Sequence, residues 1–183
     1  MQEAAALRRI FIAVNLPGKV KQEIHEKASA IVDGSAAKIV EMENLHITLK
    51  FVGYVDEREL QEIIGNVAKI ELEKFEIVFG KTGTFNNRVL WVGLDKGAEK
   101  LSELAGNVQA AVEKGDNRFS PHVTFARNKS MPAGKVVEII EKINSGKISN
   151  RMNVESFEVM ESLLSSKGPE YRVVKSVSAR KHT

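Results

Sequence analysis

The order of predicted secondary structure is nearly the same in the two halves of this 183-residue chain. Hydrophobic periodicity predicts strand, helix, strand, helix and strand over 8–80, and the same order over 88–162. In each half the middle strand carries a histidine, one apolar residue and a threonine, within "ENLHITLKFVG" and "FSPHVTFAR". A repeat of this kind predicts one domain made of two related lobes. Since no Gly/Ser-rich linker separates the halves, we expect the lobes to pack closely.

Each His-x-Thr motif places an imidazole and a hydroxyl on one face of its strand, because residues two apart point the same way. His46 and Thr48 share one such face, and His122 and Thr124 share another. The apolar residues on the opposite faces are predicted to be core residues: Ile47, Leu49, Val123 and Phe125. If a pseudo-two-fold axis relates the lobes, the two polar pairs meet across a cleft.

Two imidazoles beside one substrate can act as a general acid and a general base near neutral pH. Threonine hydroxyls can donate hydrogen bonds to the non-bridging oxygens of a phosphate. This set suits in-line displacement at phosphorus, and a phosphate diester with a single charge needs no metal for it. We therefore expect neither a metal nor a cofactor. The residues alone do not tell which histidine is the acid.

The motifs also permit two less specific interpretations. Both could be exposed strand positions where threonine is present because of its high β propensity. A zinc site would need further ligands, but no acidic residue or histidine stands at metal spacing beside either motif, and the chain has no cysteine. Of the remaining histidines, His25 is expected on the solvated face of a helix, and His182 is expected to be frayed.

Composition excludes few functions. The net charge of +3 permits an anionic partner without requiring one. No apolar run approaches the ~20 residues that a membrane span needs, and the first residues lack the features of a signal peptide. We expect a cytoplasmic monomer with no membrane contact.

The two motifs resemble those of the two-histidine (2H) phosphoesterase superfamily, and the flanking "RIFIAVNLP", "RVLWVGL" and "SLLSSKGPEYRVV" are similar to its 2′-5′ RNA ligase, or RNA 2′,3′-cyclic phosphodiesterase, family. The resemblance implies an α+β fold of two pseudo-symmetric lobes, with antiparallel sheets lining a central cleft and helices outside. It also implies hydrolysis of an RNA 2′,3′-cyclic phosphate end to a 2′-phosphate, and reversible ligation of such an end to a 5′-hydroxyl. The implied partner is RNA with this end, tRNA fragments among the candidates.

The resemblance also implies roles for the motif residues. His46 matches the proton donor to the leaving 3′-oxygen, and His122 matches the proton acceptor that activates water. Thr48 and Thr124 match the phosphate-binding hydroxyls. Arg127 matches a position where this family tends to carry arginine, which makes it a further candidate for phosphate binding. Strict strand alternation, however, puts Arg127 on the face opposite the second motif.

Several neighbouring side chains have two open interpretations. Lys50 shares a face with the first motif, so it could contact substrate or be a solvated strand end. Four aromatic residues could stack on a base, although aromatic residues in strands are more often core: Phe11, Phe51, Trp91 and Tyr171.

Three functions remain on the sequence alone. The first is the RNA-end phosphodiesterase that the resemblance implies. The second is a phosphodiesterase for small cyclic nucleotides or for 2′-5′-linked oligonucleotides. The third is a nucleotide- or RNA-binding module without turnover, against which the presence of both histidines argues, because binding alone requires no acid–base pair.

Overall fold

The computed structural model describes residues 7–146, 148, 150–166 and 168–180. The strands in this part of the chain are β1 (Arg8–Asn15), β2 (Ala37–Ile39), β3 (His46–Val55), β4 (Phe75–Phe85), β5 (Val89–Lys96), β6 (Val123–Asn128), β7 (Arg151–Val154), β8 (Ser156–Ser165) and β9 (Gly168–Ser178). The helices are α1 (Gly18–Ile31), α2 (Glu57–Val67), α3 (Ala98–Ala111) and α4 (Ala133–Ser145), with a 3₁₀ turn over Met42–Asn44.

The described strands form two antiparallel sheets. Sheet A has the order β3-β1-β8-β9, and sheet B has the order β2-β6-β5-β4-β7. Helices α2 and α3 pack on the outer side of sheet A, and α1 and α4 pack on sheet B. The other faces of the two sheets line a central cleft. The α+β fold with antiparallel sheets around a cleft, which the sequence resemblance implied, is confirmed.

Each sheet takes strands from both halves of the chain. In sheet A, β1 of the first half pairs with β3 on one side and with β8 of the second half on the other. In sheet B, β5 of the second half pairs with β6 on one side and with β4 of the first half on the other. The two sheets have the same strand order if β3, β1, β8 and β9 of sheet A are taken to correspond to β6, β5, β4 and β7 of sheet B. The internal repeat over 8–80 and 88–162 stays a prediction, but a lobe is not a half of the chain, because the last strand of each half crosses to the other sheet.

The hydrophobic pattern of "NVESFEVMESLL" predicts one strand, but the stretch is divided at Glu155. Its first part is β7, which pairs with β4 in sheet B, and its second part is β8, which pairs with β1 in sheet A. This prediction is wrong because nothing in a hydrophobic pattern tells which partner a strand takes.

Local signals do explain several element boundaries. Asp56 begins α2 as predicted: its carboxylate accepts from the Glu59 N–H at 2.8 Å, and the Glu59 carboxylate accepts from the Asp56 N–H at 3.0 Å. This reciprocal arrangement is a capping box. Asn86 and Asn87 join β4 to β5 with φ angles of 51° and 56°, the backbone of the tight hairpin turn in which asparagine is favoured.

A glycine at position 53 predicts the end of β3, but the strand continues to Val55. The register of β3 against β1 shifts beside Gly53, since Ile10 pairs with Gly53 and Phe11 with Phe51. Gly53 has a φ of 96°, which is costly for any residue with a Cβ. The glycine therefore allows a β-bulge within the strand instead of ending it.

The main hydrophobic core lies between the sheets and their helices and contains the four apolar motif residues predicted there. Ile47, Leu49, Val123 and Phe125 are all buried. A second, small cluster lies on the cleft side of sheet A and consists of Phe11, Ala13 and Met160, with Tyr171 packed against it. The first core fixes the strands, and the second gives the cleft an apolar floor.

Candidate active site

Both His-x-Thr motifs face the same cleft. Sheets A and B approach each other along β3 and β6 and enclose a volume of about 380 Å³, a size typical of a small-ligand site. The lining includes His46, Thr48, His122 and Thr124. The structure thus brings together the four residues that sequence reasoning selected, one pair from each sheet.

The first imidazole is held at both ring nitrogens. His46 Nδ1 lies 2.7 Å from the carbonyl oxygen of Asn44, and its Nε2 lies 2.9 Å from the Thr48 hydroxyl. A carbonyl can only accept, so Nδ1 carries a proton. In the neutral ring Nε2 then accepts from Thr48. The Phe11 and Tyr171 rings, with centroids 5.0 and 5.3 Å away, fix the plane of the imidazole.

The second imidazole has the same anchor and a more open environment. His122 Nδ1 donates to the carbonyl oxygen of Ser120 at 2.7 Å. The edges of Phe85 and Trp91 pack around the ring, with centroids 5.0 and 6.4 Å away. As in the first motif, this anchor leaves Nε2 as the nitrogen that can exchange a proton with a substrate.

Burial makes both imidazoles weaker bases than a free histidine side chain. Burial lowers the pKa of His46 from its ordinary 6.5 to about 4, against the opposing effect of the Asn44 carbonyl. Burial also lowers the pKa of His122. The positive charge of Arg127 lowers both pKa values further, and each of these shifts would be opposed by an anion bound between the rings.

A β-bulge follows each motif and changes which side chains face the cleft. In β3, Thr48 and Lys50 pair with consecutive residues of β1, so the intervening Leu49 is extra. In β6, Thr124 and Ala126 likewise pair with consecutive residues of β5. Each bulge puts two successive side chains on the buried side and reverses the alternation beyond it.

Arg127 therefore lies on the cleft side of β6, where it is exposed and lines the cavity. The expectation from strict alternation, that Arg127 lies opposite the second motif, was wrong because of the bulge. The corresponding position of the first motif, five residues after its histidine, is Phe51, which is 55% exposed and also lines the cleft.

Lys50 is 1% exposed, and its ammonium donates to the side-chain oxygen of Asn117 in the loop after α3. The bulge puts it on the buried side of β3 at the edge of the cleft lining, so the expectation of a solvated strand end was wrong, while contact with substrate stays a prediction. Burial lowers the pKa of Lys50. The side chain fastens β3 to the loop that leads into the second motif.

The four aromatic candidates divide into two groups. Phe11 is buried at 4% exposure and supports the first imidazole, and Trp91 lies over Gly83, where a Cβ would be 2.4 Å from its ring. Phe51 and Tyr171 line the cleft itself. Of the four candidates, Phe51 and Tyr171 are the two whose rings could meet a base in the cleft. The Tyr171 ring is already half-buried against His46.

Sequence reasoning missed the two carbonyls that orient the imidazoles. Asn44 and Ser120 both stand two residues before a motif histidine, and each accepts from Nδ1 at 2.7 Å. The Asn44 side chain also donates to the Pro169 carbonyl at 2.8 Å, which holds the β8–β9 hairpin at the cleft. A carbonyl has no side-chain signature, so only the equal spacing could have suggested this role.

The other two histidines lie apart from the site. His25 is in α1 as predicted, but it is half-buried with Nδ1 3.2 Å from the Val40 carbonyl, so the expected solvated position was wrong. His182 lies outside the described residues. Across the described ranges, no three His, Cys, Asp or Glu side chains form a group that could hold a metal ion. Nor does any helix there have the length and apolar character to cross a membrane.

Sequence comparison assigns the family. Residues 20–164 match the 2′-5′ RNA ligase superfamily. The chain is 33% identical over 172 residues to the RNA 2′,3′-cyclic phosphodiesterase of Archaeoglobus fulgidus, covering 90% of this chain and 96% of that protein. It is 32% identical over 174 residues to the Methanocaldococcus jannaschii protein of the same name, covering 91% and 98%. This chain belongs to the 2′-5′ RNA ligase superfamily.

Solved structures agree on the fold. A crystal structure of Escherichia coli LigT complexed with 3′-AMP superposes with a TM-score of 0.83 at 21% identity, covering 96% of this chain and all of that one. The structure of TT0787 from Thermus thermophilus gives a TM-score of 0.74 at 27% identity, again covering 96% of this chain and all of the other. The two-sheet architecture is thus shared at low sequence identity.

Proposed function

We propose that this protein hydrolyses terminal 2′,3′-cyclic phosphates of RNA to 2′-phosphates, with His46 and His122 as the acid–base pair. The observation that carries the proposal is the matched anchoring of the two rings: each Nδ1 is fixed by a carbonyl, which leaves two Nε2 atoms in one cleft. The names of the relatives from Archaeoglobus fulgidus and Methanocaldococcus jannaschii support the same substrate class.

In the proposed reaction, a water molecule attacks phosphorus while neutral His122 Nε2 accepts its proton. The bond from phosphorus to the 3′-oxygen breaks, and protonated His46 Nε2 gives its proton to that oxygen. The product is a 2′-phosphate beside a free 3′-hydroxyl. One turnover leaves His46 neutral and His122 protonated, and proton exchange with solvent restores the starting state.

The phosphate oxygens are proposed to be held by Thr48, Thr124 and Arg127. The Thr48 hydroxyl bonds to His46 at 2.9 Å, so binding a phosphate oxygen there would release Nε2 for its catalytic proton. Arg127 would stabilise the negative charge that builds up in the pentacoordinate state. Since burial holds His46 neutral near pH 7, the anionic substrate itself would raise its pKa and protonate it.

The assignment of roles comes from the family resemblance, with His46 as the donor and the more open His122 as the base. The pKa of about 4 for His46 does not favour the protonated form that a donor needs, so the assignment depends on the bound phosphate raising that pKa. Its test requires a substrate with an activated leaving group.

Two finer features belong to the same proposal. A 5′-hydroxyl in place of water would give a 2′-5′ phosphodiester by the same proton transfers, which accounts for reversible ligation. Phe51, an exposed aromatic ring at the cleft, is proposed to stack on the base of the terminal nucleotide.

The test is incubation with a short RNA that ends in a 2′,3′-cyclic phosphate, in excess chelator, with 2′-phosphate formation followed by phosphorus NMR. The proposal expects full activity with chelator, and His25→Gln is the control because its histidine lies outside the cleft. Turnover of free cyclic nucleotides or of 2′-5′ oligonucleotides, but not of this RNA, would favour the second function. Binding without any turnover would favour the non-catalytic module.

A further inference from the structure

Among the described residues that line the cleft, four are basic, and two of these are already held by protein groups. Arg118 makes hydrogen bonds to both carboxylate oxygens of Asp116, at 2.8 to 3.1 Å. Lys50 is buried with its ammonium on a loop amide. The other two, Lys38 and Arg127, make no ion pair or hydrogen bond within the described ranges. They are the cations left for a ligand.

Lys38 and Arg127 stand side by side. They are direct cross-strand partners in the antiparallel pairing of β2 with β6. Ala37, the neighbour of Lys38, is buried in the core, so Lys38 points to the cleft. Like charges directly opposite each other destabilise a strand pair. Two adjacent cations without protein partners therefore indicate a site for more negative charge than one phosphate diester carries.

The Lys38 ammonium lies where β2 meets the β8–β9 hairpin. A Cβ on Gly168 would be 2.9 Å from the Lys38 nitrogen, so the glycine leaves the room that the ammonium occupies. The hairpin is held in this place by the hydrogen bond from Asn44 to the Pro169 carbonyl. The ammonium is thus positioned between two walls of the cleft, beside the position of Arg127.

The charge near Lys38 is not neutralised by the protein. Glu41 is the one carboxylate among the described residues that line the cleft, and it makes no ion pair with Lys38. A polynucleotide carries one negative charge per nucleotide, so a second phosphate would lie near the reacting one. A cyclic mononucleotide without a 5′-phosphate has no such group.

We propose that Lys38 binds the phosphodiester that joins the terminal nucleotide to the rest of the RNA, next to the reacting phosphate at Arg127. The inference rests on the proposed function and narrows its substrate class. It assigns the protein to oligonucleotide ends in preference to free cyclic mononucleotides, and it makes Lys38 a residue that determines this preference.

The test compares two substrates, adenosine 2′,3′-cyclic phosphate and the dinucleotide ApA ending in the same cyclic phosphate. Lys38→Gln should lower the ratio of kcat/KM for the dinucleotide to kcat/KM for the mononucleotide by about five- to tenfold, the loss expected for one charge-assisted contact. Lys69→Gln, which removes the same charge from an exposed position after α2, should leave the ratio at the wild-type value. Lys38→Gln should also make the dinucleotide rate less sensitive to salt.

The outcomes separate the two proposals. If the wild type hydrolyses both substrates and Lys38→Gln keeps the wild-type ratio, the inference is overturned while the proposed function stands. If the wild type hydrolyses neither substrate, the proposed function fails and the inference fails with it. Because Lys38 is exposed and lies opposite another cation, the thermal unfolding midpoint of Lys38→Gln should be no lower than that of Lys69→Gln, so a folding defect does not enter the comparison.

Discussion

The two His-x-Thr strands, β3 and β6, have the same backbone plan but carry different side chains beyond it. In each, a carbonyl two residues before the histidine holds Nδ1 at 2.7 Å, and a bulge follows the threonine. Beyond the bulge, the first strand presents an aromatic ring, Phe51, and the second presents a cation, Arg127. The common plan brings two imidazoles into one cleft, and the different side chains give its two sides different charge and polarity.

Burial adds a second difference. His46 lies among Phe11 and Tyr171 with Nε2 bonded to Thr48, and its pKa falls to about 4. Burial also lowers the pKa of His122, which has aromatic neighbours as well, but its Nε2 makes no hydrogen bond to Thr124 within the described part of the chain. Two strands with the same backbone plan thus hold two imidazoles in different environments.

The largest expected effect belongs to the feature that both strands share. His46→Ala and His122→Ala should each lower kcat/KM for the cyclic-phosphate RNA by about 10²–10⁴, the usual contribution of a positioned acid or base. The double variant should lose less than the product of the two, because the residues act as a unit. His25→Gln serves as the histidine control. Near wild-type turnover in either alanine variant would refute the two-histidine mechanism.

The second effect concerns the cation beyond the second bulge. Arg127→Gln should lower kcat by about 10–10²-fold, since it removes charge stabilisation of the transition state. Arg58→Gln, on the exposed surface of α2, is the matched control for charge. Equal rates for the two variants in single-turnover measurements would show that Arg127 does not contact the reacting phosphate.

The third effect concerns the aromatic ring at the equivalent place in the first strand. Phe51→Ala should raise KM about tenfold with little change in kcat, because stacking of a base contributes about 1–3 kcal/mol to binding. Tyr54→Ala is the control, since Tyr54 lies on the same strand at similar exposure but does not line the cleft. A fall in kcat with unchanged KM would argue against a binding role for Phe51.

The smallest effect concerns pH. Both histidine pKa values lie below 6.5 in the free protein, so the bell-shaped profile of kcat/KM should be centred below pH 6.5. The profile of kcat should lie at higher pH, because the bound phosphate raises both values. Arg127→Gln should move both limbs of the kcat/KM profile to higher pH by less than about one unit, since the arginine lowers both pKa values. A shift to lower pH would contradict this electrostatic account.

Much of this plan is visible in the sequence. The period of two places both motif pairs on polar faces and the four apolar neighbours in the core, and the capping residue Asp56 is recognisable from its spacing to Glu59. These features are local, so they depend on the chain segment alone. The similar order of elements in the two halves likewise indicated two related lobes, and the family resemblance implied antiparallel sheets around one cleft.

The bulges and the strand exchange are not visible in the same way. A bulge depends on how two strands pair, and the sequences around Leu49 and Phe125 carry no glycine or other local signal for it. Arg127 was therefore predicted on the wrong face, and the burial of Lys50 was not predicted. The crossing of β4 and β8 to the opposite sheets depends on which partner strand is available, and hydrophobic alternation holds no information about partners.

The most direct test of the central claim, that the two imidazoles divide the roles of acid and base, uses a leaving group that needs no protonation. The substrate is a 2′,3′-cyclic phosphorothiolate in which sulfur replaces the 3′-oxygen, and the measurement is the hydrolysis rate of wild type, His46→Ala and His122→Ala. His46→Ala should recover much of its lost rate, whereas His122→Ala should recover little, because water still needs a base. The opposite rescue would exchange the two roles, and failure of both variants would contradict the assignment of His46 as a proton donor.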